Sequence, residues 1–398
     1  MGFRSLKLAW KYIWYHKLKT TILIACIFLT AFLPIAIELL LNQFESKLVD
    51  RAEQTPLVVG PAGSRFDLTL RSLYFRLGSF ENQAAPTVAF GEADAIEKTG
   101  WANAIPIYSK FTTKGHPIVG TTLEYFKFRN LGIESGDNLI QIGDCVVGAA
   151  LADQLGIGPG DNLLTDIESV IAIASYPLKM HVRGVLTANN SPDDWAVFVD
   201  LKTAWIIDGI GHGHQNVEEV ADDKLLSKGD DKIVASAAVL PFTEITADNI
   251  DSFHFHGDDS DFPVTSIIAI PPDQKSETIL IGRYRNSTTG EQLVVPGSVI
   301  QELMNLVFKV KRFFDANAIL IAFSTLLLLL LIVILSAKLR EREMATMFKI
   351  GASRNTVVML QIAELGIVFA ISSVLVTIAV IVLNQYAGTL IQNVLIGS

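Results

Sequence analysis

The chain has 398 residues, half of them hydrophobic and 18% charged, with a net charge of −9. A phosphate-binding surface needs clustered Lys and Arg, so this balance argues against a nucleic-acid partner, and only two cysteines, Cys26 and Cys145, exclude a fold stapled by disulfides. The mean hydropathy of +0.39 is high for a water-soluble chain of this size, and the apolar excess is gathered in a few runs, as in membrane segments.

The first element, within residues 1–19, mixes Lys7, Lys11 and Lys17 with Trp10, Tyr12, Trp14 and Tyr15. That composition predicts an amphipathic helix at a membrane interface. The run 20–41 follows and is long enough to cross a bilayer as a helix. No small-residue cleavage site follows it, so it reads as an anchor and not as a removable leader. Pro34 lies inside this run, a position that membrane helices tolerate. Arg4, Lys7, Lys11, Lys17 and Lys19 precede the run, and the positive-inside rule places this end in the cytoplasm.

Residues 43–314 then alternate short apolar strands with helical stretches, which predicts an α/β or α+β domain outside the cytoplasm. Val197–Val199 and Ile267–Ile270 read as buried strands. Cys145–Gly148 leads into a helix over Ala149–Leu155 that stops at Gly156, and Gly158-Pro159-Gly160-Asp161 makes a tight turn into another strand. The polar stretch Gly209–Asp231 predicts a division into two subdomains.

A second apolar run covers 316–337 and a third covers 356–383, joined by a short basic loop at 338–355. The basic loop is expected in the cytoplasm, in agreement with the N-terminal charges. The expected architecture is an α-helical membrane protein with three transmembrane helices, a large external α/β domain and an external tail at 384–398. The lipid bilayer is its first partner. Glu38 and Glu364 fall near the ends of predicted spans; an interfacial position is the simpler reading for Glu38, while for Glu364 an interfacial and a functional carboxylate both stay open.

Four stretches resemble the MacB-like/FtsX-like permeases of ABC transport systems. They are Thr55–Ser64, Val146–Asp161, Val182–Leu186 with Pro192–Val199, and Arg340–Arg354, in that order along the chain. The resemblance implies a MacB-type core domain, a bacterial inner-membrane location with the large domain periplasmic, and a homodimer or paired permease. It also implies a separate cytoplasmic ABC ATPase, whose hydrolysis of ATP would drive movements of the external domain, a process called mechanotransmission. An extracytoplasmic adaptor or substrate would then meet that domain. The ATPase would dock on the helix carrying Arg342, Met344, Met347, Phe348, Ile350, Gly351 and Arg354, whose apolar members fall on one side of a short amphipathic turn. These permeases usually have four spans, and residues 384–398 are too short for a fourth, so a shortened member and a truncated product both stay open.

No phosphate-loop sequence Gly-x-x-x-x-Gly-Lys-Ser/Thr occurs, so the chain is expected to bind no cofactor itself and to leave ATP to its partner. No Gly-x-Ser-x-Gly or His-Glu-x-x-His occurs, and no enzymatic activity is expected. Histidines stand out: His212 and His214 form one alternate pair, His254 and His256 another, with Asp258 just beyond. Alternate residues of an extended chain share a face, so these side chains could hold Zn2+. Two solvated loops that merely contain histidines are the alternative. The functions in play are a transport permease, possibilities in metal homeostasis included, a non-transporting regulator of an external partner, and a membrane-anchored metal sensor.

Overall fold

The computed structural model describes residues 3–75, 86–166, 177–213, 225–229, 232–235, 243–285, 290–339, 346, 349 and 354–396. The chain divides into two compact units, Met1–Lys47 with Met304–Ile391, and Leu48–Leu303 with Gln392–Ser398.

The first unit is helical. A helix over Phe3–Tyr15 ends at a turn at His16, and Lys17–Glu53 follows as one continuous helix through Pro34. The short helix buries Ala9 against Leu360 and Ala363, while Ile13 packs with Leu23 and Val368. Residues 9 and 13 are one turn apart, so they define a single apolar face, and Trp10, Trp14 and Tyr15 point away exposed. Two further long helices among the described residues are Pro296–Leu339 and Arg354–Ile396. Side-chain hydrogen bonds join them inside this unit: Thr30 Oγ1 lies 3.0 Å from Thr325 Oγ1, and Gln43 donates to Asn384 Oδ1 at 2.7 Å. Such bonds hold helices together where both surroundings are apolar.

Lys17–Glu53 and Ile362–Gly388 are long and apolar enough to cross a membrane. Both are apolar on every side, and large side chains such as Leu29, Leu33, Val374, Ile378 and Ile381 stand exposed. Exposing so much apolar surface to water would forfeit about 25 cal/mol per Å2, so these helices fit a membrane protein. The predicted run 316–337 lies inside Pro296–Leu339, where Ile319, Phe323, Leu326 and Leu331 are exposed in the same way. The third run extends beyond its predicted end, because the helix continues through 384–396.

The second unit is α/β. One sheet has the order Glu291–Val294, Leu57–Pro61, Ser266–Ile270, Asn103–Ile107, all antiparallel. The larger sheet is mixed. Its central path is Leu178–Leu186, Asp144–Val147, Val197–Asp200, His116–Thr121, with parallel pairs at both ends of that path and an antiparallel pair in the middle. Tyr108 bridges to Gly120, joining the two sheets edge to edge. Leu57, Val59 and Ile267 of the first sheet share one core with Ile118, Val147, Val197 and Val199 of the second.

The local readings of this unit agree with the structure. Val197–Asp200 and Ser266–Ile270 are buried strands, and Ala149–Leu155 is a helix. Gly156 ends that helix in the left-handed region at φ 63°, which costs glycine little because it has no Cβ. The stretch Gly209–Asp231 is less loop-like than its composition implies, since Gly211–Gly213 and Leu225–Gly229 are both strands.

Candidate functional site

Two polar clusters of the α/β unit merit description at atomic level. The first surrounds Arg51, in the last turns of the helix that begins at Lys17. Leu48 and Ala52 of these turns are fully buried, and Arg51 is buried with them. Its guanidinium makes a two-pronged contact with Asp193, Nη1 to Oδ2 at 2.8 Å and Nη2 to Oδ1 at 3.0 Å. Nε donates to the Leu73 carbonyl at 2.5 Å, and Nη2 also donates to the Tyr125 hydroxyl at 3.0 Å. The Tyr125 hydroxyl donates in turn to Asp193 Oδ1 at 2.8 Å. Thr55, just past the helix, accepts from Arg129 at 2.7 Å and donates to the Arg51 carbonyl at 2.9 Å.

The acceptor is placed with equal care. Asp193 lies in a single 3-10 turn, Pro192–Trp195, started by Ser191, whose Oγ accepts from the Asp193 N–H at 3.1 Å and donates to Oδ2 at 2.9 Å. Gly148 sits against this turn: a Cβ there would come within 2.3 Å of the Asp193 carbonyl oxygen. Phe75, Tyr125 and Phe126 pack around Phe198 with ring centroids 5.4 to 6.0 Å from it and keep the surroundings dry.

Burial pushes the Asp193 carboxyl up, but the Arg51 charge and its hydrogen bonds, with that of Tyr125, overcome this and hold it below the usual aspartate range. Burial likewise opposes the Arg51 charge, and Asp193 overcomes it, so the guanidinium pKa is raised. Both groups therefore stay ionised. A permanently ionised, fully hydrogen-bonded pair is suited to holding a helix end and unsuited to proton transfer.

The second cluster is the histidine face. Gly211–Gly213 pairs antiparallel with Phe253–Phe255, and His212 stands directly opposite His254. His256 follows on the same side by strand alternation. One ring nitrogen from each of His212, His254 and His256 lies within 4.8 Å of the other two. His254 Nε2 is 3.2 Å from His256 Nε2, and His254 Nδ1 is 3.2 Å from the Ser252 carbonyl. His212 and His256 are exposed and His254 is half-buried. The opposite face of the ladder is apolar: Phe255 packs on Trp205 and Phe262.

The residues singled out in the sequence are distributed as follows. The spacing suggested two separate pairs, whereas the structure brings His212 across to His254 and His256. Asp258 does not join them; its carboxylate accepts from the Ser260 N–H at 3.0 Å at the start of a 3-10 turn. His214 lies outside the described residues, as do Arg342, Met344, Met347, Phe348, Ile350 and Gly351. Arg354 is the first residue of the helix to Ile396. Glu38 and Glu364 both have lysine partners, Lys311 at 2.5 Å and Lys19 at 3.6 Å. The Arg51–Asp193 anchor escaped the sequence reading. Its only sequence signal is a lone arginine beyond the end of an apolar run, which by itself does not distinguish a buried residue from a solvated one.

An open cleft of about 730 Å3 lies along the edge strand Asn103–Ile107, bordered by Asp94, Glu97, Glu124 and Lys127.

No family model matches the chain, and no curated protein matches it either. Solved structures do. The periplasmic region of MacB from Actinobacillus actinomycetemcomitans aligns at 10% identity and a TM-score of 0.34, covering 64% of this chain and 94% of that one. The extracellular domain of the ABC-type transporter YknZ from Gram-positive bacteria aligns at 9% identity and a TM-score of 0.33, covering 60% and 98%. A domain of a protein described as a permease from Porphyromonas gingivalis aligns at 12% identity and a TM-score of 0.28, covering 61% and 91%. These neighbours are of the MacB/FtsX-like permease type, the type the sequence resembles.

Proposed function

We propose that this chain is the membrane subunit of an ABC transport system of the MacB-like/FtsX-like type. In this reading a separate cytoplasmic ATPase docks on the segment 338–355, and ATP-driven movement of the helices is passed to the external α/β unit. Three membrane helices, an N-terminus in the cytoplasm and assembly with a second permease copy belong to the same reading.

The observation that carries it is the helix Lys17–Glu53. Its apolar part is long and apolar enough to cross a membrane, and the same unbroken helix ends in the Arg51–Asp193 anchor. Removing one partner of a buried ion pair costs about 3–5 kcal/mol, so the pair holds the end of this helix firmly in the α/β unit, as a subunit that receives movement through the helix requires. Glu38 pairs with Lys311, which also pairs with Asp315, and Glu364 pairs with Lys19, so ion pairs account for both carboxylates and support movement over proton coupling.

The test is recovery of the native partner. The full chain is purified from its own membrane in mild detergent and its companions are identified by mass spectrometry. A protein carrying a phosphate-loop motif is expected to accompany the chain, and the double variant Met347→Asp, Phe348→Asp is expected to lose it. Equal recovery of that ATPase with the double variant removes the docking assignment, and its absence from the unaltered preparation removes the proposal.

A further inference from the structure

The three histidines are a separate feature, and the permease reading does not use them. We infer that His212, His254 and His256 form a binding site for a divalent transition-metal ion of the zinc type.

The argument starts from the strand pair. A two-stranded ladder has two faces, and here one is filled by Phe253 and Phe255. The glycines on either side of His212 allow this. A Cβ at Gly211 would come within 2.5 Å of the Phe255 ring, and one at Gly213 within 2.8 Å of the Phe253 ring. The rings therefore lie directly on the glycine backbone, and the short strand is held in register from its apolar side. The other face has only His212 on one strand, with His254 and His256 along the other. Packing does not call for three imidazoles there, since two of them are exposed.

The geometry matches a metal site. Two nitrogens bound to one tetrahedral ion at 2.0–2.1 Å stand about 3.3 Å apart. The Nε2 atoms of His254 and His256 are already 3.2 Å apart. The third nitrogen is close enough to reach the same ion by rotating a side chain, since all three lie within 4.8 Å. A carbonyl can only accept, so in the contact with Ser252 the proton sits on His254 Nδ1 and its Nε2 is an acceptor. In the metal-free chain the His256 Nε2–H donates to it, and a bound metal would take the place of that proton. A backbone carbonyl behind a ligand histidine is the usual arrangement at metal centres. Three neutral imidazoles suit Zn2+ and the neighbouring late first-row ions, whereas Ca2+ and Mg2+ select oxygen. They leave a fourth position for water or for one donor atom from another molecule.

The experiment uses the full chain in detergent, prepared without a histidine tag and stripped with a chelator. Zn2+ is titrated calorimetrically. One ion per chain at micromolar or tighter affinity is expected, with nitrogen scatterers at about 2.0 Å in the zinc absorption spectrum. His212→Ala and His256→Ala should each weaken binding at least tenfold. Both residues are exposed, so the metal-free variants should melt with the unaltered chain, which separates lost ligation from lost folding. Absence of binding at micromolar Zn2+ overturns the site, and so does unchanged affinity in both variants. The titration needs no ATPase, so its result is independent of the permease proposal.

Discussion

The Arg51 anchor and the histidine face are both polar clusters of the α/β unit, and they are built in opposite ways. Around Arg51 the three guanidinium nitrogens and the Tyr125 hydroxyl each donate to an acceptor supplied by the same unit, in a dry setting of Phe75, Tyr125 and Phe198. At the histidine face three ring nitrogens lie within 4.8 Å of one another at the surface. Charge is complementary in the first cluster, whereas in the second like groups are gathered together. Complementary groups satisfy one another and hold a structure, while convergent lone pairs leave room for a cation.

The largest effect should come from opening the closed cluster. Asp193→Asn removes the charge opposite Arg51 and leaves a buried guanidinium, at an expected cost of about 3–5 kcal/mol in thermal or denaturant unfolding of the detergent-solubilised chain. A loss under about 1 kcal/mol would mean that water already reaches the pair, and the contrast with the histidine face would fail. The same pair sets an acid limit. The Asp193 pKa is lowered on folding, so its contribution is complete above the ordinary aspartate value of about 3.9 and is lost as pH falls through the lower folded value. Melting temperatures taken from neutral pH down to about 3 should fall more steeply for the unaltered chain than for Asp193→Asn.

The histidine face should give a smaller, ligand-dependent effect. Zinc at a hundred times its dissociation constant should stabilise the chain by about 2.7 kcal/mol. That increment should persist in Asp193→Asn and vanish in His256→Ala; the reverse pattern would merge the two clusters into one. The smallest effect is expected at the exposed pair Arg65–Glu302, 3.2 Å apart. Glu302→Gln should change stability by less than about 1 kcal/mol. A larger change would show that burial is not what separates strong from weak ion pairs in this unit.

The sequence reading was accurate where the determinants are local. Cys145–Gly148, the helix Ala149–Leu155 and its stop at Gly156 depend on neighbours a few residues apart, and all were legible. The pairing of Leu57–Pro61 with Ser266–Ile270 was not, because nothing near Leu57 encodes a partner so distant. The histidines show the same limit on a smaller scale. Alternation correctly placed His254 and His256 on one face, but the approach of His212 depends on the register between strands. Asp258 was a reasonable ligand by proximity in sequence, yet the backbone N–H of Ser260 claims its carboxylate. Arg51 was invisible as a buried residue because its partners Leu73, Tyr125 and Asp193 are scattered along the chain.

The placement of Leu57–Pro61 has a consequence for biosynthesis. It is the first strand of the α/β unit to leave the ribosome, and it lies between the last two of its sheet: Val59 faces Ile267 on one side and Leu293 on the other. At about 5–20 residues per second, those neighbours emerge roughly ten to fifty seconds later. Throughout that interval an apolar strand with two open edges waits on a chain tethered by its preceding segment. Such edges pair readily with strands from other molecules. Newborn copies made side by side are therefore most exposed to mispairing in this window, and the hazard ends only when Glu291–Val294 is in place.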